Sequence, residues 1–188
     1  MDTPGEAGHA ETRRGNGRMV DRPHAAYASL HDRVAYLDAL EDLLTGYCSK
    51  DPAPRGLPFR VEGFSPEYRD EGLDWPSTAL TMVGRRRLRN FRELIERAID
   101  EGVPADILEA GVWRGGASIL ARAVPAAHGV TDMRIIVADS FARHPPPSDE
   151  FPADAGATFH THADLAGRSR RCARTSAASA CSTTRWSS

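Results

Sequence analysis

One run near the centre of the chain, DILEAGVWRGGASILARA (residues 106–123), constrains the fold most strongly. It begins with the apolar residues of a buried strand, passes through a glycine-rich turn, and continues with apolar residues at helical spacing. Open α/β sheets bind nucleotides at turns of this kind, beyond the carboxyl end of a strand. The run therefore predicts a ligand-binding turn in an α/β domain.

A second strand is predicted in MRIIVADSF (residues 133–141), where Ile135, Ile136 and Val137 form a continuous β-branched run. Such runs are typical of strands covered on both faces. Gly129 stands where the intervening helix should end, and Asp139 closes the strand. Strand, turn, helix and strand form a βαβ unit, whose crossover should be right-handed.

The region before this unit is predicted to be helical. Apolar residues at helical spacing indicate one helix within residues 31–47 and another through residues 88–99, which ends at Gly102 and Pro104. Residues 63–75 have no clear period. We interpret Arg85, Arg86 and Arg87 as a solvated helix start. No element is predicted after residue 152.

Composition excludes several classes of protein. A chain of 188 residues is long enough for one domain with a core. A net charge of −2 and a pI near 6.4 argue against a general nucleic-acid binder. The three cysteines lack zinc-site or disulfide spacing, which favours a reducing, cytoplasmic setting. The N-terminus lacks the apolar segment of a signal peptide, and no window is long enough to span a membrane, so we expect no membrane partner.

The spacing within the turn narrows the choice of ligand. Alignment of the dinucleotide fingerprint G-x-G-x-x-G on Gly111 places Trp113 at its second glycine, which disfavours an NAD-binding Rossmann protein. Glu109 instead begins an E-x-G-x-x-x-G-G pattern typical of methyltransferases. Asp139 would then accept hydrogen bonds from ribose hydroxyls. The glycines alone are equally compatible with a tight turn in some other α/β protein.

The methyltransferase-type turn is one part of a longer pattern of four blocks: YLDALEDLLTGY (36–47), DWPSTALTMVGRRRLRNF (74–91), VPADILEAGVWRGGASI (103–119) and GVTDMRIIVADSF (129–141). In order and spacing they resemble the macrocin O-methyltransferase family, over roughly residues 30–166. The resemblance implies S-adenosylmethionine-dependent methylation of a sugar hydroxyl on a macrolide-like, glycosylated natural product. It also implies magnesium, with acidic ligands later in the chain, and a histidine as general base.

The resemblance implies an α/β fold, the N-terminal portion of a class I (Rossmann-like) methyltransferase, with N-terminal helices, one βαβ unit and an incomplete sheet. For the general base the chain offers His160 or His162. It implies no metal ligand among the present residues. The implied cofactor-binding residues are Thr81, Met82, Glu109, Gly111, Trp113, Arg114, Gly115, Gly116, Asp139, Ser140 and Phe141.

The chain departs from the family in two places. Arg143 stands where members carry a glycine, which puts the adenine-side loop in doubt. After Ala166 the chain has five arginines, no acids and no family pattern. A reading of the gene one base out of register permits LLDDQVVF at Cys181–Ser188. Our hypothesis is a frameshift at or beside Ala166; the alternative is an ordinary disordered basic tail.

The predicted organisation follows from these departures. Residues 1–24 form a disordered arm, 25–103 a helical lid region, 104–166 the first half of the cofactor domain, and 167–188 a disordered, out-of-frame tail. A truncated form of this kind should bind the cofactor weakly and be inactive. A non-catalytic interaction protein is the remaining alternative.

Overall fold

The computed structural model describes residues 29–54, 63–142, 144–162, Leu165 and Ser182–Thr184. The predicted arm, Arg143 and the larger part of the tail lie outside the described residues. No helix within these ranges is long and apolar enough to cross a membrane. In chain order the elements are α1 (Leu30–Thr45), α2 (Pro66–Glu71), α3 (Arg85–Asp100), β1 (Ile107–Ala110), α4 (Gly116–Ala127), β2 (Ile135–Ala138), two 3-10 helices (Pro152–Asp154 and Phe159–Thr161) and β3 (Ser182–Thr184).

Helix α1 has a defined signal at each end. It begins after Ser29, whose Oγ accepts a hydrogen bond from the Asp32 amide at 3.1 Å. This bond satisfies an amide that has no partner within the helix. The helix ends at Gly46, whose left-handed backbone (φ 68°) favours glycine. The bounds agree with the predicted helix.

The hydrophobic core lies between three helices and one face of the sheet. Burial of one such aliphatic side chain contributes about 2 kcal/mol. Each helix contributes two positions a turn or two apart, as the apolar spacing predicted, although Leu43 of α1 and Leu94 of α3, which share that spacing, are 63% and 56% exposed. The buried residues are Leu37 and Leu44 of α1, Leu88 and Ile95 of α3, Leu120 and Val124 of α4, and Ile135 of β2.

The βαβ unit is present as predicted. Strands β1 and β2 pair in parallel, with Glu109 opposite Val137, and α4 connects them. Gly129, with φ 75°, follows the cap residue of α4. The two strands therefore end side by side, which brings the glycine turn and Asp139 to the same edge of the sheet.

The sheet has a third strand that the sequence did not predict. Ser182–Thr184 pairs in parallel with β2, and Val137 lies opposite Thr183. These three residues fall in the segment predicted to be disordered, and the rest of that segment lies outside the described residues. They carry no apolar pattern, and backbone hydrogen bonding to an open strand edge does not require one.

The region between α1 and α3 contains a short helix, α2, in a stretch where no periodicity was found. It is organised by Arg69, which is almost fully buried. The guanidinium bonds Asp74 at 2.8 Å and donates to the carbonyls of Thr45 at 2.5 Å and Asp51 at 2.7 Å. One arginine therefore joins the end of α1 to the segment after α2.

Charged residues also join α1 to α3. Glu41, fully buried, accepts hydrogen bonds from Arg89 and Arg92, each at 3.3 Å. Arg85 pairs with Asp42 at 2.9 Å and stacks 3.8 Å over the ring of Tyr47. The prediction of a solvated helix start is therefore wrong for Arg85, although Arg86 and Arg87 are exposed.

Candidate functional site

The turn between β1 and α4 is built from residues with a left-handed backbone. Gly111 (φ 82°) and Gly115 (φ 86°) adopt it, and so does Trp113 (φ 49°) between them. Only glycine takes this conformation without cost. Trp113, which aligns with the second glycine of the dinucleotide fingerprint, therefore has a strained backbone. Backbone strain of this kind is concentrated at functional sites.

Asp139 joins this turn to the loop after β2. Its Oδ2 accepts a hydrogen bond from the Val112 amide at 2.7 Å, and its Oδ1 accepts one from the Phe141 amide at 2.9 Å. A carboxylate has about four acceptor positions, and longer hydrogen bonds from the Trp113 amide to Oδ2 (3.4 Å) and from the Ser140 hydroxyl to Oδ1 (3.5 Å) take the other two. Asp139 is half-buried and remains accessible from the edge of the sheet.

Two further predicted residues follow Asp139. Phe141, with φ 51°, packs against the small apolar cluster of Val112 and Val137. Ser140 is exposed, and its hydroxyl accepts a hydrogen bond from the Ala142 amide at 3.3 Å. The loop after β2 thus covers one side of the glycine turn.

Glu109 occupies the face of β1 that meets α4. Burial raises the pKa of its carboxyl above the ordinary value, hydrogen bonds from the Ser118 hydroxyl and amide oppose the rise, and the nearby charge of Asp139 adds to it. Ser118 was not predicted as a site residue. Its position in the first turn of α4 was visible in the sequence, but its partner was not.

The segment before α3 lies directly on the start of α4. The Gly116 amide donates to the Leu80 carbonyl at 2.9 Å, and a Cβ on Gly116 would lie 2.6 Å from that oxygen. Thr81 is buried and its amide donates to Leu44, whereas Met82 is half-buried. The structure therefore brings the predicted residue Thr81 next to the start of α4, and Met82 follows it in the chain.

Arg114, also predicted as a cofactor residue, is bonded to the segment before α3. Its Nη1 donates to the carbonyls of Pro76 at 3.2 Å and Ala79 at 2.9 Å. The residue is buried, and these two hydrogen bonds are made to protein backbone.

The two candidate histidines differ in surroundings. The ring of His162 meets the ring of Trp75 edge-on, with centroids 5.7 Å apart. Trp75 precedes the segment that lies on the glycine turn. His160 is half-buried in the second 3-10 helix. His162 is thus connected to the site through Trp75.

A metal centre is not formed by the side chains that the structure describes. Within those ranges, no group of three or more His, Cys, Asp or Glu residues is arranged to hold a metal ion. Glu109 and Asp139 lie near the carboxyl ends of β1 and β2, and both make hydrogen bonds to the protein.

Comparison with known proteins gives a consistent result. The sequence profile of Macrocin-O-methyltransferase (TylF) matches residues 53–176, more than half of the chain. Demethyldecarbamoylnovobiocin O-methyltransferase of Streptomyces niveus is 46% identical over 111 residues, 58% of this chain and 42% of that protein. The 8-demethyl-8-(2,3-dimethoxy-alpha-L-rhamnosyl)-tetracenomycin-C 4'-O-methyltransferase of Streptomyces olivaceus is 41% identical over 131 residues, 69% of this chain and 50% of that protein.

A solved structure supports the fold. The O-methyltransferase NovP superimposes with a TM-score of 0.74 and 36% identity, covering 82% of this chain and 64% of that one. The predicted class I methyltransferase fold is therefore confirmed. The chain spans about half the length of the curated relatives it matches.

Proposed function

Because the chain belongs to the macrocin O-methyltransferase family, we propose that it provides the S-adenosylmethionine-binding part of an enzyme that methylates a sugar hydroxyl. The acceptor is a glycosylated, macrolide-like natural product. The observation that carries the proposal is the convergence of Glu109, the strained glycine turn and Asp139 at one edge of the sheet.

The residues present fit this cofactor. A Cβ on Gly111 would have no atom within 4 Å, so the turn borders open space. The ribose hydroxyls would replace the two long hydrogen bonds that Asp139 accepts from the Trp113 amide and the Ser140 hydroxyl, while Ser140 and Phe141 border the adenine end. The start of α4 faces the methionine part. When bound, the cofactor supplies a sulfonium methyl for in-line transfer to an oxygen nucleophile.

His162 is the better candidate for the general base. It contacts Trp75, which leads into the segment packed on the glycine turn, whereas among the described residues no ring contact of this kind is found for His160. A base in this place would take the proton of the sugar hydroxyl as the oxygen–methyl bond forms. No step is assigned to magnesium, because the described side chains form no metal-binding group.

Binding is tested by titration calorimetry with S-adenosylmethionine and S-adenosylhomocysteine, with NADH as the competing ligand. Asp139→Asn should weaken binding at least about tenfold, the loss expected for a charge-assisted hydrogen bond. Asp106→Asn is the matched control, since Asp106 lies at the opposite end of β1 and pairs with Arg134. Binding of NADH alone would refute the proposal.

We propose further that the chain by itself transfers little or no methyl group. The exposure of Leu108, 65% in the middle of β1, supports this, because a strand of this fold is covered on both faces when the domain is complete. An assay with a glycosylated macrolide and labelled cofactor tests it. Turnover comparable to that of a full-length relative would contradict it.

A further inference from the structure

The guanidinium of Arg114, a residue of the glycine turn, is buried against the segment that precedes α3. The residue is only 8% exposed, and its Cζ stacks 4.0 Å from the centroid of the Trp113 ring. Its Nη1 reaches two carbonyls three residues apart, those of Pro76 and Ala79. A planar guanidinium suits such a position, because it can stack on an aromatic ring while its edge donates hydrogen bonds.

The segment that Arg114 bonds, residues 76–81, is called the linker here. Its other side is tied to the N-terminal helical region. Asp51 Oδ2 accepts hydrogen bonds from the amides of Thr78 at 2.8 Å and Ala79 at 2.7 Å. The Leu44 carbonyl accepts from Leu80 at 3.0 Å and Thr81 at 3.1 Å. The linker is therefore bonded on both sides and lies between α1 and the glycine turn.

Hydrogen bonds attach the linker to the turn and to the start of α4. Arg114 supplies two of them, and the Gly116 amide supplies another through the Leu80 carbonyl. Hydrogen bonds from a charged donor in a buried setting are stronger than those between neutral groups. Loss of the guanidinium would leave the Pro76 and Ala79 carbonyls buried without this donor, which is costly.

We infer that Arg114 is a positioning residue: it holds the linker, with Thr81 at its end, against the glycine turn. It acts on a bound cofactor through the placement of the linker and not by direct contact. The cofactor readout of this inference rests on the proposed function, whereas the placement of the linker does not.

Hydrogen exchange measured by mass spectrometry tests the placement on the ligand-free protein. In Arg114→Ala, the linker peptide, whose bonded amides include Thr78, Ala79, Leu80 and Thr81, should exchange about tenfold faster. Peptides within α1 and α3 should exchange at the wild-type rate. Arg97→Ala, which removes an exposed arginine paired with Glu101, is the matched control and should leave the linker unchanged.

Arg114→Lys provides a second variant if Arg114→Ala does not fold. Lysine keeps the charge but lacks the planar group, so faster exchange limited to the linker is again expected. Unchanged linker exchange in the folded variants would overturn the inference. An equal increase in all helices would also overturn it, because it would reflect a general loss of stability.

The affinity for S-adenosylhomocysteine provides the second readout. It should fall about tenfold in Arg114→Ala together with the faster linker exchange. A loss of affinity with wild-type exchange in the linker would indicate direct contact and refute the inference. If the wild-type protein binds no S-adenosylhomocysteine, the proposed function fails, and linker exchange alone decides the role of Arg114.

Discussion

The backbone amide of Gly116 donates to the carbonyl oxygen of Leu80 at 2.9 Å, and a Cβ on Gly116 would lie 2.6 Å from the same oxygen. A glycine is therefore required at the start of α4 because another chain segment passes there. Its backbone angle is not the reason, since Gly116 is absent from the positive-φ residues of the described chain.

Gly116→Ala should lower the free energy of unfolding by about 2 kcal/mol, because the methyl group pushes against backbone that cannot rotate away. Urea unfolding measures the effect. Gly156→Ala is the comparison: its backbone is left-handed (φ 84°) but nothing lies within 4 Å of the added methyl. That change should cost about 1 kcal/mol. Equal costs would contradict the steric explanation.

Arg69→Met should lower the free energy of unfolding by about 3–5 kcal/mol, because it leaves the carboxylate of Asp74 buried without its partner. The side chains of this pair are 1% and 0% exposed. Arg97→Ala breaks a pair that is 74% and 55% exposed, and it should cost at most about 0.5 kcal/mol. Chemical denaturation of both variants measures the two losses of stability. Similar losses would contradict the prediction.

Glu109 should make stability depend on pH. Burial raises the pKa of this carboxyl above 4.5. Between that value and the raised pKa the folded protein binds more protons than the unfolded chain, so stability falls as the pH rises through the folded pKa. Glu109→Gln cannot titrate and should show a smaller fall when unfolding is measured from below pH 4.5 to neutral pH. Burial also raises the pKa of Glu41, so both proteins should show the part of the fall in stability that Glu41 causes. If the stability of the wild type and of Glu109→Gln changed equally with pH, the raised pKa of Glu109 would be refuted.

Ser118→Ala should raise the pKa of Glu109 further, because it removes a hydroxyl donor that favours the charged carboxylate. The variant should also lose about 1 kcal/mol of stability. The carboxyl carbon shift of Glu109, followed by NMR during a pH titration, measures the change directly. A pKa equal to that of the wild type would show that the Ser118 amide alone holds the carboxylate.

The sequence predicted those parts of the site that depend on local patterns of residues. The apolar run of β2, the helical stripe of α4 and the glycines between the strands predicted the order of elements and placed Glu109 and Asp139 at one edge. Side-chain periodicity and backbone conformation are properties of short segments, so one sequence suffices to recognise them.

Contacts between distant segments were not predictable in this way. Arg69 is the centre of the N-terminal region because three separate segments bring Thr45, Asp51 and Asp74 around it. Helix α2 is only six residues long, too short to show an apolar stripe. Strand β3 pairs with β2 through backbone groups, and this pairing requires no particular side chains, so the polar residues of the segment did not indicate a strand.

The sequence by itself determined a βαβ unit with a glycine turn, its terminal carboxylates and the family to which the chain belongs. Only the tertiary structure decided what surrounds that turn. Leu80 excludes a side chain at Gly116, the linker receives the guanidinium of Arg114, and Ser118 bonds Glu109. The reason is physical: these contacts are made to backbone carbonyls, or between residues brought together by packing. Neither kind of contact depends on residue spacing along the chain.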